Sequence, residues 1–563
     1  MKRFFAILFC SFIAWNASSQ EMLNADDVFS EFGEVYFSFN VNDNQSINSL
    51  TKIISIDNVK GSTVWAYANR KEFAAFTERG LKYTLLRHPA ELVKADVTDN
   101  LAQVLNWETY PTYDAYVALM NQFQADHPDI CQIITIGTLP SGRKLLAVKI
   151  SDNVGVDEDE PEFLYVSSIH GDETTGYITM LHLIDYLLTN YGTSVRITNM
   201  VNNMEIYINP LANPDGTYHG GNNTVNGATR YNANSIDLNR NFPDPQDGPH
   251  PDGNSWQPET VASMAFASAH HISMSVNFHG GAEVVNYPWD TWSRLHADDN
   301  WWKFVSREYA DTVHLHSPVS YMTDFVNGIT NGYAWYTITG GRQDYMTYFQ
   351  HDRECTIELS YDKLLPTNQL LNHWNYNYRS MLNYMEQSLY GIRGIVTDSV
   401  SGQPLHAKVF ISGHDIDSAQ VYANLPVGDY HRLLKAGTYT LKFIASGYPS
   451  KTFPGIIVTD KNAVRLDVQL YKGSNTTADG PVPTVIKVFP NPVTGENAVI
   501  ESNDPLSEIR ITDISGNSIF HDLTQSKRYI LPLTNLANGV YILEVHGKNL
   551  GVAQQKLIIN RAK

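Results

Sequence analysis

The sequence predicts a multidomain protein built around one α/β domain, whose mixed, largely parallel sheet is flanked by helices. A small α+β segment precedes that domain and two small all-β sandwiches follow it. Three observations carry this prediction. The chain has 563 residues, several times the roughly 150 of an ordinary domain. Between residues 104 and 390, apolar strand-like runs alternate with helix-like stretches, as when helical crossovers join the strands of a buried sheet. Beyond residue 390 the helical period disappears and short strands punctuated by turn residues take over.

At the amino end, Lys2 and Arg3 precede an apolar run over 4–15, and Ala17-Ser18-Ser19 offers a cleavage point. Residues 1–19 therefore read as a secretory signal peptide, too short to span a membrane. Residues 20–103 mix strand-like runs at 35–39, 52–56 and 64–68 with a helix-like 71–79. They form a small α+β segment without a chemical motif. In the 104–390 domain Thr112 is an N-cap for a helix whose apolar face is Tyr113, Tyr116, Val117, Met120 and Phe123. Strands are expected at 133–136, 145–150, 163–166, 204–208 and 272–278, and helices at 175–188 and 259–270. Residues 391–472 read as a β-sandwich, 473–485 as a Gly/Pro/Ser/Thr linker, and 486–563 as a second β domain.

Composition narrows the function classes. Forty Lys plus Arg against 59 Asp plus Glu give a net charge of −19, which argues against a nucleic-acid partner because phosphate binding needs a basic footprint. Hydrophobic residues at 43% supply real cores, so global disorder is excluded. No stretch reaches the length of a membrane span. Beyond the signal only Cys131 and Cys355 remain, as one disulfide or as two buried thiols.

The chemistry gathers where strands end. The 163–169 run delivers His170-Gly171-Asp172-Glu173, and the 272–278 run delivers His279-Gly280-Gly281. Two imidazoles and one carboxylate at the carboxyl edge of a sheet are the open ligand set of a catalytic zinc, with a fourth position left for water. Between them lie Asn213-Pro214-Asp215-Gly216, Arg230, and Asp237-Leu238-Asn239-Arg240. Guanidinium groups and an amide near a metal suit an anionic substrate. Later come Tyr336, Gly340-Gly341-Arg342-Gln343-Asp344-Tyr345, and Glu358 inside an apolar strand, where a carboxylate is costly unless a site needs it.

In order and spacing these motifs resemble the M14 family of zinc metallocarboxypeptidases over about residues 104–389. The forms Asp-Leu-Asn-Arg-Asn-Phe-Pro-Asp and Gly-Gly-x-Gln-Asp-Tyr are similar to its N/E subfamily. The resemblance implies one Zn²⁺ held by His170, Glu173 and His279, with Asp237 hydrogen-bonded to His170. It implies Glu358 as general base, Arg230 as oxyanion stabiliser, Asn239 and Arg240 as the anchor of the substrate's terminal carboxylate, and Tyr336 as a cover over the bound residue. Glu354, four residues earlier, is a rival base, and the Glu-Leu-Ser context favours Glu358. In the subfamily an Asp and a Gln help to recognise a basic side chain, and Asp290 and Gln343 stand at those places. Arg342 departs from the apolar residue common there and would repel a cation if it pointed inward.

Residues 391–472 are similar to the transthyretin-like sandwich of that subfamily. Residues 486–563, with Val488-Phe489-Pro490-Asn491-Pro492 and Gly539-Val540-Tyr541, look like a type IX secretion sorting domain. The implied protein is a secreted or cell-surface exopeptidase acting on peptide or protein C-termini, handled by the type IX machinery and preferring terminal Lys or Arg. The alternatives are a carboxypeptidase for non-basic or cell-wall peptides and an inactive, carboxypeptidase-like binding module. The 20–103 segment would be a propeptide or a permanent domain.

Overall fold

A computed structural model describes residues 23–41, 44–472, 486–502, 505–512, 518–547 and 551–561. The signal peptide and the 473–485 linker lie outside them.

The central body is an eight-stranded mixed sheet. Its middle is parallel: Glu205–Asn209, Glu162–Ser167, Ile272–His279 and Glu354–Ser360 run side by side in one direction. Antiparallel strands close both flanks, with Lys144–Ile150 and Cys131–Thr138 on one side and Ala282–Tyr287 on the other. Glu162–Ser167 and Ala282–Tyr287 are buried along their whole lengths, as strands covered on both faces must be. Helices Tyr113–Asp126, Thr175–Asn190, Asp299–His314 and Leu370–Glu386 pack into the principal core with the sheet. Thr112 caps the first of them through the Ala115 N–H at 3.2 Å. Of its expected apolar face, Tyr113, Tyr116, Met120 and Phe123 are buried, whereas Val117 is only half-buried.

The amino-terminal segment is a separate four-stranded antiparallel sheet in the order Ser55–Lys60, Thr63–Asn69, Glu34–Asn40, Tyr83–Leu86. Helices Asn44–Leu50 and Arg70–Thr77 make it a strand–helix–strand–strand–helix–strand unit. Two expectations need correcting. The strand placed at 52–56 begins at Ser55, because the Ile53 and Ile54 N–H groups turn back to Leu50 O at 2.9 and 3.0 Å and close the preceding helix. That helix, and Ala25–Phe32 before it, were not anticipated, since both are short and rich in Asn, Ser and Asp. The core of this unit continues into the central body, where Ala282, Val284, Trp335, Tyr336 and Ile338 join it.

Residues 391–470 form two facing sheets around Ile392, Val409, Leu441 and Phe443. The carboxy-terminal module also has two sheets, around Ile500, Ile509, Leu543 and Leu557. Cys131 and Cys355 are both free and buried, so they are the two thiols and not a disulfide.

Candidate active site

Three strand ends and one loop build the site. After the strand Glu162–Ser167, Ser168 adopts a positive φ of 54° and turns the chain so that His170 and Glu173 face one point. The turn is packed so closely that a Cβ on Gly171 would lie 2.3 Å from the Gly216 carbonyl carbon; only glycine fits there. Gly216 belongs to the Asn213-Pro214-Asp215-Gly216 turn, where the Asn213 side chain accepts from Gly216 N at 2.9 Å. Gly171 N donates to Arg230 O at 3.2 Å. The turn thus sets Arg230 beside His170.

His170 Nδ1 lies 3.0 Å from Glu173 Oε1, His279 Nδ1 lies 2.8 Å from Glu173 Oε2, and the two Nδ1 atoms are 3.1 Å apart. All three side chains are buried. Two imidazole nitrogens this close, with a carboxylate between them, are repulsive unless a proton or a cation sits among them. Both a carboxylate and two neutral imidazoles are zinc donors, so the donor set fits Zn²⁺. Asp237 accepts from His170 Nε2 at 3.0 Å, which leaves Nδ1 free to act as a ligand. Burial pushes the His279 pKa down to about 4 and so favours the neutral ring.

Parallel pairing puts Glu358 directly beside His279. Its Oε2 is buried and has no hydrogen-bond partner. Burial, reinforced by the charge of Glu173, holds its pKa well above the usual carboxylate range. Glu354 lies four residues earlier on the same strand, where Ser275 donates to it at 2.7 Å and Arg342 is its ion-pair partner. It does not border the cavity that Glu358 borders.

Arg230 is buried, with Nη1 3.3 Å from Glu173 Oε1 and Nε 3.2 Å from Asp237 Oδ2. Asn239 and Arg240 lie on the 3₁₀ turn Leu238–Arg240, and Tyr336 lines the same cavity. Buried Asp290 is not at the cavity wall; Asn286, which is, donates to it at 3.0 Å, and the Gln343 amide adjoins it. Gln343 is 1% exposed, yet neither of its amide atoms has an aligned partner. Arg342, pinned to Glu354, points to the other side of the sheet among Leu145, Leu164 and Phe266.

Sequence reasoning missed Lys363 and the residues of the amino-terminal unit that reach into the site. Lys363 Nζ donates to Glu173 Oε1 at 2.8 Å, to Gly280 O at 2.5 Å and to Asp57 Oδ1 at 2.5 Å. Burial disfavours its charge, but Asp57, Glu173 and Asp172 outweigh burial and hold its pKa well above the usual lysine value. Asp57 lies on the strand Ser55–Lys60, which crosses the mouth of the site. There Ser55 bridges Asp237 and Arg230, Asp57 is 3.5 Å from Arg230 Nη1, and Ile56 O accepts from Arg240 at 3.3 Å and Tyr336 at 3.2 Å. Behind it Tyr67 donates to Asp172, and buried Glu34 accepts from the Arg230 and Tyr231 N–H groups. The cavity left beside His170, Glu173 and His279 is only about 20 Å³, little more than one water. A lysine five residues after a buried glutamate was the available signal for Lys363. Nothing local marked Ser55 or Asp57.

Residues 116–380 match the family model described as zinc carboxypeptidase, and residues 487–560 match that described as secretion system C-terminal sorting domain. The chain is 35% identical to carboxypeptidase D of Mus musculus, over 63% of this chain and 26% of that protein. It is 33% identical to the carboxypeptidase N catalytic chain of Homo sapiens, over 60% of this chain and 81% of that one. It is 34% identical to carboxypeptidase SOL1 of Arabidopsis thaliana, over 64% and 71%. The chain thus spans about a quarter of the length of its carboxypeptidase D relative. Among solved structures, carboxypeptidase A from Helicoverpa armigera superposes with a TM-score of 0.49 and 18% identity, over 63% of this chain and 97% of that one.

Proposed function

The chain belongs to the zinc carboxypeptidase family, and from that premise we propose that it removes single residues from peptide and protein C-termini, preferring Lys or Arg. The observation that carries the reading is the convergence of His170, Glu173 and His279 beside the unpaired Glu358 carboxylate oxygen. Zn²⁺ held by the first three would supply Lewis-acid polarisation of the scissile carbonyl and of a water. Glu358 takes a proton from the attacking water and returns it to the departing amine, through the buried Oε2 that has no other hydrogen-bond partner. Arg230 stabilises the oxyanion. Asn239 and Arg240 receive the terminal carboxylate, with Arg240 Nε buried and still unpaired. Tyr336 covers the bound residue, and Asp237 keeps the His170 ring oriented.

Support for a basic preference comes from Asp290 with Gln343. A substrate ammonium or guanidinium would satisfy the orphaned amide oxygen and pair with the carboxylate. Arg342, neutralised by Glu354, does not oppose it. A second reading, removal of a non-basic residue, draws on one observation: Ile338, Asn286 and Thr356, rather than Asp290, border the present cavity. Matched peptides ending in Lys or Phe separate the two. The basic reading expects faster release of Lys, and equal or reversed rates sink it. Glu358→Gln is expected to lose about 10²–10⁴ in kcat while still binding peptide. If it stayed inactive beside an equally inactive wild type loaded with Zn²⁺, the chain would be a binding module.

We propose further that the 20–103 segment is a propeptide, because its strand Ser55–Lys60 takes up Arg240, Tyr336 and Arg230, the groups that substrate would use. Export follows the same logic. The sorting-domain match supports type IX secretion to the medium or the cell surface, and among the described residues no helix is long and apolar enough to cross a membrane.

A further inference from the structure

Asp290, behind the cavity-lining Asn286, sits on a loop, residues 288–298, between the strand Ala282–Tyr287 and the helix Asp299–His314. A loop has no ladder of its own, so its placement must come from outside contacts. At its start the N–H groups of Asp290 and Thr291 donate to the Asp344 carboxylate at 3.1 and 2.8 Å. In the middle, fully buried Trp289 and its neighbour Trp292 pack against Tyr348 of the central body, with ring centroids 6.3 and 5.6 Å away. These two anchors lie within the central body.

The far end is held differently. The Asp298 side chain is 1% exposed and accepts from two guanidinium groups and one imidazole. Arg353 reaches it with Nη2 at 2.8 Å, Arg432 with Nη1 at 2.7 Å and Nη2 at 3.0 Å, and His414 with Nε2 at 2.7 Å. Arg432 and His414 belong to the 391–470 sandwich, where Asp415 holds Arg432 in turn. Arg294, on the same loop, makes a bidentate pair with Asp417 of the sandwich at 2.7 and 3.0 Å while lying 3.5 Å over the Trp292 ring. Arg353 directly precedes the strand that carries Glu358, and it donates to Ala419 O of the sandwich at 2.6 Å.

A surface pair such as Arg294–Asp417 adds little stability, and a buried ionic knot seldom beats apolar packing. Directional, bidentate bonds do fix geometry. We propose that Asp298, Arg432 and Asp417 are positioning residues through which the sandwich holds the Asp290 loop against the pocket. The sandwich then sets how tightly a basic C-terminal side chain is gripped. This inference rests on the reading of Asp290 as the group that meets that side chain.

The test compares wild type, Arg432→Gln, Arg432→Lys and the milder Asp417→Asn on matched peptides ending in Lys or Phe. Each is assayed in the form, intact or cleaved behind the amino-terminal unit, in which wild type is active. Arg432→Gln is expected to raise KM for the Lys peptide by about three- to tenfold, with kcat and the Phe peptide within about twofold. Arg432→Lys recovers part of the loss, and Asp417→Asn shifts KM in the same direction by less. A purely structural role would lower the melting temperature and the active fraction, hence kcat on both peptides, and leave the KM ratio unmoved; that result overturns the proposal. Should Arg432→Gln fail to fold, an unchanged KM ratio in Asp417→Asn overturns it instead. Equal release of Lys and Phe by wild type overturns the Asp290 reading and this inference together. A wild-type preference that survives every substitution overturns the inference alone.

Discussion

At Asp290 burial pushes the carboxyl pKa up to about 7, even though Asn286 and Arg240 pull it down. Below that pH the free protein would hold a neutral acid there and would have no charge to offer a cationic side chain. The ratio of kcat/KM for Lys-ended over Phe-ended peptides is therefore expected to rise several-fold between about pH 5.5 and pH 8. A pH profile of the ratio checks this, and a flat ratio removes Asp290 from the role. The residue scale also separates what could be read in advance from what could not. His170, Glu173 and His279 were legible because each follows a buried strand, and strand ends are where such sheets expose side chains. The direction of Arg342 was not legible. It depended on Glu354, twelve residues on, offering a buried counter-charge, and a pattern of residue types does not encode which way a side chain turns.

At the scale of elements, the expected α/β strands were legible to within a residue or two, because continuous apolar runs mark strands covered on both faces; Ala282–Tyr287 and Ile329–Asn331 of the same sheet were not anticipated. The amino-terminal unit was only half legible. Its strand Ser55–Lys60 carries polar Ser55, Asp57 and Asn58 whose partners lie far along the chain: Asp57 meets Lys363 across 306 positions and Asn58 meets Gly281 across 223. Pairings at such separation leave no local trace. They do give a prediction. Asp57 neutralises Lys363 and approaches Arg230, so Asp57→Asn leaves two buried cations less well paired at the contact and weakens the docking of the unit. Intact Asp57→Asn protein is expected to show at least about fivefold more peptidase activity than intact wild type, and cleavage near exposed Leu92 (64% exposed) should bring both to the same level. Intact wild type already as active as the cleaved form would refute a covering role.

For the whole molecule, the carboxy-terminal module has a core of its own, centred on Ile500, Ile509 and Leu543. The 391–470 sandwich, by contrast, is tied to the central body through the Asp298 knot. Truncation before residue 486 is therefore expected to leave hydrolysis within about twofold while abolishing appearance outside the cell, measured by fractionating the producing cells. Lost hydrolysis would mean the module also supports the central body. The net charge of −19 says little about selectivity by itself, because long-range charge steers encounter whereas a pocket discriminates. The central claim is that a zinc-dependent site reads a free terminal carboxylate through Asn239 and Arg240. Mass spectrometry on one Lys-ended peptide, with its C-terminus free or amidated, tests it most directly in Zn²⁺-loaded protein cleaved behind the amino-terminal unit. Loss of a single lysine from the free peptide is expected, with at least about a hundredfold slower attack on the amide. Equal attack on both peptides, or cleavage at an internal bond, would contradict it.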